Sequence, residues 1–211
     1  MLTDDLIADL AANPVATGKP TLRIAMAMLA GWLLALMALV IVVGPPLAAL
    51  PQTGMLPFGV KTGFALAFLA ASVSATIAAG RPGKTLSLRL LLIAVPFVAL
   101  LALMMLEMSS TPRENWSGLF FGTTYMPCIR AITLASVPVL VATLWAYREM
   151  APTRPALAGM LAGLSSGAAA AVAYALYCPE TTASFLLAAY TPAALAPAVA
   201  GFLLGPKLLR W

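Results

Sequence analysis

The chain has 211 residues, of which 62% are hydrophobic and 9% are charged, with a formal net charge of +5. An ordinary soluble domain has about 25% charged residues, so this composition excludes a soluble globular protein and indicates an integral membrane protein. The sequence has no histidine, which removes the commonest general base and the commonest metal ligand. Its basic residues are scattered over segment ends rather than gathered in one stripe, which argues against direct nucleic-acid binding.

Residues 1–23 form the only substantial polar stretch and predict a short cytoplasmic amphipathic helix. Thr3 is suited to cap its first turn, and Asn13-Pro14 ends the pattern. A lone helix of about ten residues is marginal in water, so it needs a surface to lie against. The alternatives are the membrane surface and a protein partner, and the acidic polar face favours the protein. The predicted partner-binding residues are Thr3, Asp4, Asp5, Leu6, Ile7, Asp9 and Leu10.

Residues 24–211 contain six apolar segments, and about 20 apolar residues are enough for a helix to cross a bilayer. The predicted fold class is therefore all-α, an integral membrane bundle of six transmembrane helices that follows the amphipathic segment. The proline-rich connection between the first two spans is expected to rest in the membrane interface. The predicted spans are about 24–43, 63–80, 88–107, 126–147, 155–177 and 183–204.

The orientation follows from lysine and arginine residues in the short loops, which stay on the cytoplasmic side. With the N-terminus inside, nine of the 12 basic residues lie inside, and Lys61, Arg113 and Arg130 lie outside. The expected location is a bacterial inner membrane, crossed several times, with both termini cytoplasmic.

The two cysteines, Cys128 and Cys178, lie at the outer ends of the fourth and fifth spans. Because the chain crosses the membrane and returns between them, both thiols are expected at the same membrane face, outside. Such a pair is suited to form a disulfide or to capture a soft heavy-metal ion transiently, without a resident cofactor. Two thiols alone cannot complete a four-coordinate zinc site. The alternative is that both are ordinary small core residues.

Arg130 lies two residues beyond Cys128, about 3 Å further along the helix. An ionisable residue in a span is a candidate functional residue, and Glu107 and Glu180 are its expected partners at the same face. The alternative is that its side chain reaches the interface unaided.

Gly159, Gly163 and Gly167 recur every fourth residue in the fifth span, which is typical of a close helix crossing. The crossing helix belongs either to the same bundle or to a second copy of the chain. Nucleophile–base pairs, phosphate-binding glycine loops and metal-ligand spacings are absent from the sequence, so it does not predict an enzyme.

Several segments resemble the NrsF-type anti-sigma factors, which are small six-span inner-membrane proteins of bacteria. The matching segments are TDDLIADLAANP, the cysteine that opens the fourth span, REMAPTRPALAGMLAGL, YALYCPE followed by Phe185 and Tyr190, and LLGPKLLRW. The resemblance implies that the chain holds an extracytoplasmic-function sigma factor inactive and releases it under heavy-metal or oxidative stress. It also implies that Cys128 and Cys178 sense the stress, and that the segment around Thr3–Leu10 binds the sigma factor.

The sequence departs from this family at Tyr177, where a histidine is common, which favours a redox signal over a metal held by an imidazole. Two other functions are considered. A small channel or transporter predicts polar residues at mid-membrane depth in several spans, and a membrane thiol oxidoreductase predicts a closely spaced cysteine pair or a quinone site.

Overall fold

The computed structural model describes residues 20–47, 54–80, 86–150 and 152–209, and within these ranges it is all-helical. Six helical segments are long and apolar enough to cross a membrane, as the sequence predicts. The predicted amphipathic helix, with its partner-binding residues, lies outside the described residues. The long helices are α1 (Pro20–Val43), α2 (Met55–Ala79), α3 (Ser87–Ser110), α5 (Tyr125–Arg148), α6 (Pro155–Ala175) and α8 (Thr191–Leu208).

Shorter elements complete two of the spans. A 3₁₀ turn (Arg113–Asn115) and α4 (Trp116–Phe121) precede α5. The last span begins with α7 (Ala183–Phe185) and a π-helical turn (Leu186–Tyr190), which run directly into α8. A π-helical turn inside an α-helix is rare and is often found beside a functional site.

Helix α2 begins at Met55, eight residues before the predicted start of the second span. Pro57 lies in its first turn, where a proline is tolerated because the first N–H groups of a helix have no intrahelical partner. Part of the connection expected to rest in the interface is therefore helical. As a consequence, Lys61 is not a loop residue ahead of the span but lies nearly two turns inside it.

Helix α6 forms the centre of the bundle and packs against α1, α2, α5 and α8. Over the most apolar 18 residues of α6, 72% are buried, against 6% over the same length of α3. Helix α3 packs mainly along α2 at the periphery. Trp32 of α1 reaches this centre and donates a hydrogen bond to the carbonyl of Ala169 at 3.0 Å. The fifth span is thus the element on which the other helices pack.

The glycine stripe of α6 packs against α8 of the same chain. A Cβ atom on Gly163 would overlap the carbonyl of Pro197, and one on Gly167 would lie 2.7 Å from the Cα of Ala194. Gly201 of α8 faces Gly159 in the same way. The bundle-packing interpretation therefore holds. The suggested homo-oligomer through Gly159, Gly163 and Gly167 is corrected, because α8 already covers these glycines.

The bundle has two ends that matter for function. At the thiol end, defined by Lys61, Glu107, Cys128, Cys178 and Glu180, α2 and α5 begin and α3 and α6 end. At the opposite, ion-pair end, Arg23 of α1 forms a salt bridge with Glu149, which directly follows α5. Tyr147 donates a hydrogen bond to the carbonyl of Thr76 there. Helix α5 therefore runs without interruption from one end to the other.

We expect Gly163→Val to lower the free energy of unfolding by about 1–3 kcal/mol, because the added side chain overlaps backbone atoms that cannot move aside cheaply. Gly63→Val is the matched control, since a Cβ there meets no atom within 4 Å. Thermal or denaturant unfolding of the purified protein in detergent measures both. Equal destabilisation by the two variants would contradict the close α6–α8 crossing.

Candidate functional site

The two cysteines meet at the thiol end. Cys128 lies in the first turn of α5, where its N–H donates to the carbonyl of Thr124 at 2.9 Å. Cys178 lies just beyond α6, where Pro179 stops the helix, and its N–H donates to the carbonyl of Tyr174 at 3.1 Å. Both thiols are free and buried, and their sulfur atoms are 3.4 Å apart.

This separation decides which reactions the pair can undergo with little movement. A disulfide requires a sulfur–sulfur distance of about 2.05 Å, so the sulfurs must approach by a little more than 1 Å. Two thiolates on one tetrahedral metal ion, each at about 2.3 Å, lie about 3.8 Å apart. Both products are therefore within reach of a small displacement of the segment that carries Cys178.

The described residues do not form a closed metal site. They contain no group of three or more cysteine, aspartate, glutamate or histidine residues placed to hold one ion. Glu180, two residues beyond Cys178, accepts hydrogen bonds from Thr123 N at 2.9 Å and Oγ1 at 3.1 Å. The pair by itself is suited to a soft ion bound by two sulfurs or to oxidation.

Cys178 is the more acidic of the two thiols. The hydrogen bond from the Cys128 thiol, acting against the cost of burial, lowers the pKa of Cys178 to about 7. The backbone N–H of Glu180 and the positive charge of Lys61 act in the same direction. The Thr124 hydroxyl lies 3.8 Å from the Cys178 sulfur and adds a weak contact. Cys178 is therefore the thiol that ionises first as pH rises.

Lys61 is the residue at this site that sequence reasoning missed. Its side chain is 0% exposed, and its ammonium group donates a hydrogen bond to the carbonyl of Cys178 at 2.5 Å. The ring of Phe58 lies 5.5 Å below the ammonium. The signal in the sequence is a single lysine in an otherwise apolar stretch, which becomes informative once the helix is extended back to Met55.

Two tyrosines complete the walls around the thiols. Tyr174 of α6 lies beside the Cys128 thiol. Tyr190, at the end of the π-helical turn, lies beside both cysteines. Tyr190 is buried, and its hydroxyl makes no hydrogen bond. Aromatic rings on this side separate the sulfurs from their surroundings.

Glu107 and Glu180 hold the backbone of the thiol end. Glu107 accepts hydrogen bonds from the N–H groups of Ala183 at 2.7 Å and Ser184 at 3.0 Å, so α3 caps the first turn of α7. A carboxylate is favourable there because the N-terminus of a helix carries a partial positive charge. Glu180 binds the turn before α5 through Thr123.

Arg130 is exposed on the surface of α5. The structure does not bring it together with Glu107 or Glu180, because both carboxylates already accept hydrogen bonds from other residues. In the described ranges, the one salt bridge is that between Arg23 and Glu149. The geometry is in keeping with a side chain that reaches the interface unaided.

The whole chain is similar to a known protein family. The family model described as "NrsF: Negative regulator of sigma F" matches residues 8–211. The "Probable anti-sigma-F factor NrsF" of Azospira oryzae is 38% identical over 217 residues, which covers 100% of both chains. The "Anti-sigma-F factor NrsF" of Caulobacter vibrioides is 35% identical over 216 residues, again over 100% of both chains. No solved structure matches this chain.

The lowered pKa of Cys178 predicts how its reactivity depends on pH. Its thiolate fraction increases as pH rises through about 7, so alkylation of the reduced protein by iodoacetamide should accelerate with a midpoint there. Mass spectrometry of trapped peptides measures the rate at each cysteine. In the control variant Cys178→Ser this step should disappear. A midpoint near the ordinary cysteine value of about 8.5 would show that the surroundings do not lower the pKa of Cys178.

Proposed function

Because the chain belongs to the NrsF family of negative regulators of sigma F, we propose that it is a membrane-anchored anti-sigma factor that holds an extracytoplasmic-function sigma factor inactive. The stress signal is heavy metal or oxidant, and Cys128 and Cys178 sense it. The observation that carries this proposal is the 3.4 Å separation of two buried free thiols at one end of the bundle. Such a protein acts by binding and is a regulator rather than an enzyme.

The proposed orientation places the thiol end outside and both termini in the cytoplasm. The distribution of basic residues supports it, because nine of 12 lie on the inner side in this orientation. The burial of Lys61 strengthens the bias, since only Arg113 and Arg130 then remain as outward basic residues. In a bacterium the thiols then meet the periplasmic side, where cysteines are readily oxidised.

The trigger is a change at two sulfur atoms. On oxidation each thiol gives up its proton, the two sulfurs together give up two electrons to an oxidant such as a peroxide, and one sulfur–sulfur bond forms. The peroxide takes up the two protons and two electrons and becomes water. With a soft metal ion, both thiols release their protons and bind the ion instead. Either product ties the start of α5 to the segment after α6.

The proposed route to the cytoplasmic side follows α5. Cys128 lies in its first turn, and Glu149, just past its last residue, forms the salt bridge with Arg23. Arg23 lies in the first turn of α1, at the end of the stretch 1–23 that contains the predicted sigma-binding residues. A displacement of α5 therefore reaches the base of that segment. To move such an equilibrium from 1:99 to 99:1 requires a difference in binding free energy of about 5.5 kcal/mol.

The hydroxyl groups of the spans do not favour a channel or transporter. Ser72, Thr143 and Ser166 each donate a hydrogen bond to a carbonyl of their own helix, at 2.5, 2.7 and 2.7 Å. A hydroxyl whose hydrogen bond is made to its own helix is not free to line a polar path across the membrane.

Removal of residues 1–22 should abolish co-purification of the sigma factor, because the proposed docking helix is lost while the six spans remain. Co-expression of the full-length and truncated proteins with a candidate sigma factor of the same organism, followed by affinity purification from detergent, measures capture. Correct membrane insertion of the truncated protein is the control. Undiminished capture would move the binding surface to the inner loops.

The double variant Cys128→Ser, Cys178→Ser should still capture the sigma factor but should no longer release it on treatment with diamide or cadmium. The serines keep the volume of the site but form neither a disulfide nor a metal thiolate. Release is followed by the amount of sigma factor that remains bound. Replacing either cysteine alone should have the same effect if both sulfurs enter one product. Persistent release in the double variant would reject the sensing role.

A further inference from the structure

A buried lysine needs a physical reason for its position. Lysine is almost never fully buried unless it is paired, because removal of its charge from water is costly. Lys61 is 0% exposed, and in the described part of the chain no carboxylate forms a salt bridge with it. Its ammonium group instead contacts the carbonyl of Cys178 and the ring of Phe58.

The position of the carbonyl explains why a positive charge is stable there. The last four carbonyl groups of a helix have no intrahelical partner, and the C-terminus of a helix carries a partial negative charge. The Cys178 carbonyl lies three residues beyond Ala175, the last residue of α6, while the Cys178 N–H still bonds the Tyr174 carbonyl of that helix. Lys61 therefore supplies, from a different helix, the donor for this non-helical carbonyl at 2.5 Å, beside the partly negative end of α6.

The two cysteines differ in how firmly their backbones are held. Cys128 is inside a regular helix, so its position is fixed by α5 itself. Cys178 lies in a non-helical segment, residues 178–182, between α6 and α7. Its N–H is bound within its own turn, and the contact that fixes its carbonyl relative to another helix is the one from Lys61.

We propose that Lys61 is a positioning residue of the thiol site, which binds the Cys178 carbonyl just beyond α6 and thereby holds the Cys178 sulfur against Cys128. This inference rests on the proposed thiol chemistry of the pair, but it does not depend on the sigma factor. It identifies α2 as a third helix of the sensor, beside α5 and α6. It also gives a role to a lysine whose burial otherwise only destabilises the bundle.

The test compares Lys61→Met with Lys61→Arg in purified full-length protein without the sigma factor. The protein is equilibrated in mixtures of reduced and oxidised dithiothreitol at pH 6, where both thiols carry their protons, and its free thiols are then trapped with a maleimide. In this exchange the dithiothreitol disulfide is reduced as the protein disulfide forms. Loss of a charged hydrogen bond should lower the equilibrium constant for the Cys128–Cys178 disulfide about tenfold in Lys61→Met.

A second readout must move in the opposite direction. In the reduced protein, the plateau rate at which iodoacetamide alkylates Cys178 at high pH, where the thiolate fraction no longer depends on Lys61, should become about tenfold higher in Lys61→Met, because its segment opens more often. Lys61→Arg keeps the charge and the donors and should restore both values. Lys207→Met, the same substitution at an exposed lysine of the ion-pair end, is the matched control and should leave both unchanged.

The proposal is overturned if the disulfide equilibrium constant and the alkylation rate of Lys61→Met both stay within twofold of the wild type. It is also overturned if Lys61→Arg behaves like Lys61→Met. If Lys61→Met does not fold, judged by gel filtration, Lys61→Gln replaces it, since it keeps one donor, and an intermediate effect is expected. A glutamine variant equal to the wild type also overturns the proposal, and failure of both variants to fold assigns Lys61 to general bundle stability instead. None of these results bears on sigma release, which the cysteine variants test separately.

Discussion

Buried backbone groups at the ends of helices have to be paired, and this constraint organises the thiol end. Three charged side chains meet it there. Lys61 of α2 donates to the Cys178 carbonyl just beyond α6. Glu107 of α3 accepts from the first N–H group of α7, and Glu180 accepts from the N–H group of Thr123 in the turn before α5. The sign of the charge is favourable at each of the two helix ends. Residues that look like isolated charges in an apolar sequence are thus the supports of the cysteine pair.

The centre of the bundle and its thiol end are built on different principles. Helices α6 and α8 meet backbone to backbone through glycines, with no space for rearrangement between them. The segment after α6, by contrast, is non-helical and is held by a few polar contacts. A reaction at the sulfurs therefore displaces the segment and the start of α5 more readily than it displaces the α6–α8 core.

Much of this architecture could be predicted from the sequence, and the limits of prediction have identifiable causes. Apolar length gave the six spans, and the out-and-back path between Cys128 and Cys178 placed both at one end. The start of α2 was missed because a proline normally signals a break, yet it is tolerated in a first turn. The partners of Glu107 depend on packing between helices 76 positions apart, which no local pattern reveals. The glycine stripe was ambiguous because the sequence of one helix does not say which helix crosses it.

The burial of the two sulfur atoms limits which reagents can reach them. Cys128 is 0% exposed and Cys178 is 1% exposed, and the tyrosine rings stand beside them. Thiol–disulfide exchange requires the incoming sulfur to approach the target sulfur in line. A tripeptide thiol or a redox enzyme therefore reaches a sulfur only when the segment after α6 opens. The closed site therefore slows exchange with bulky thiols, and small reagents depend least on that opening.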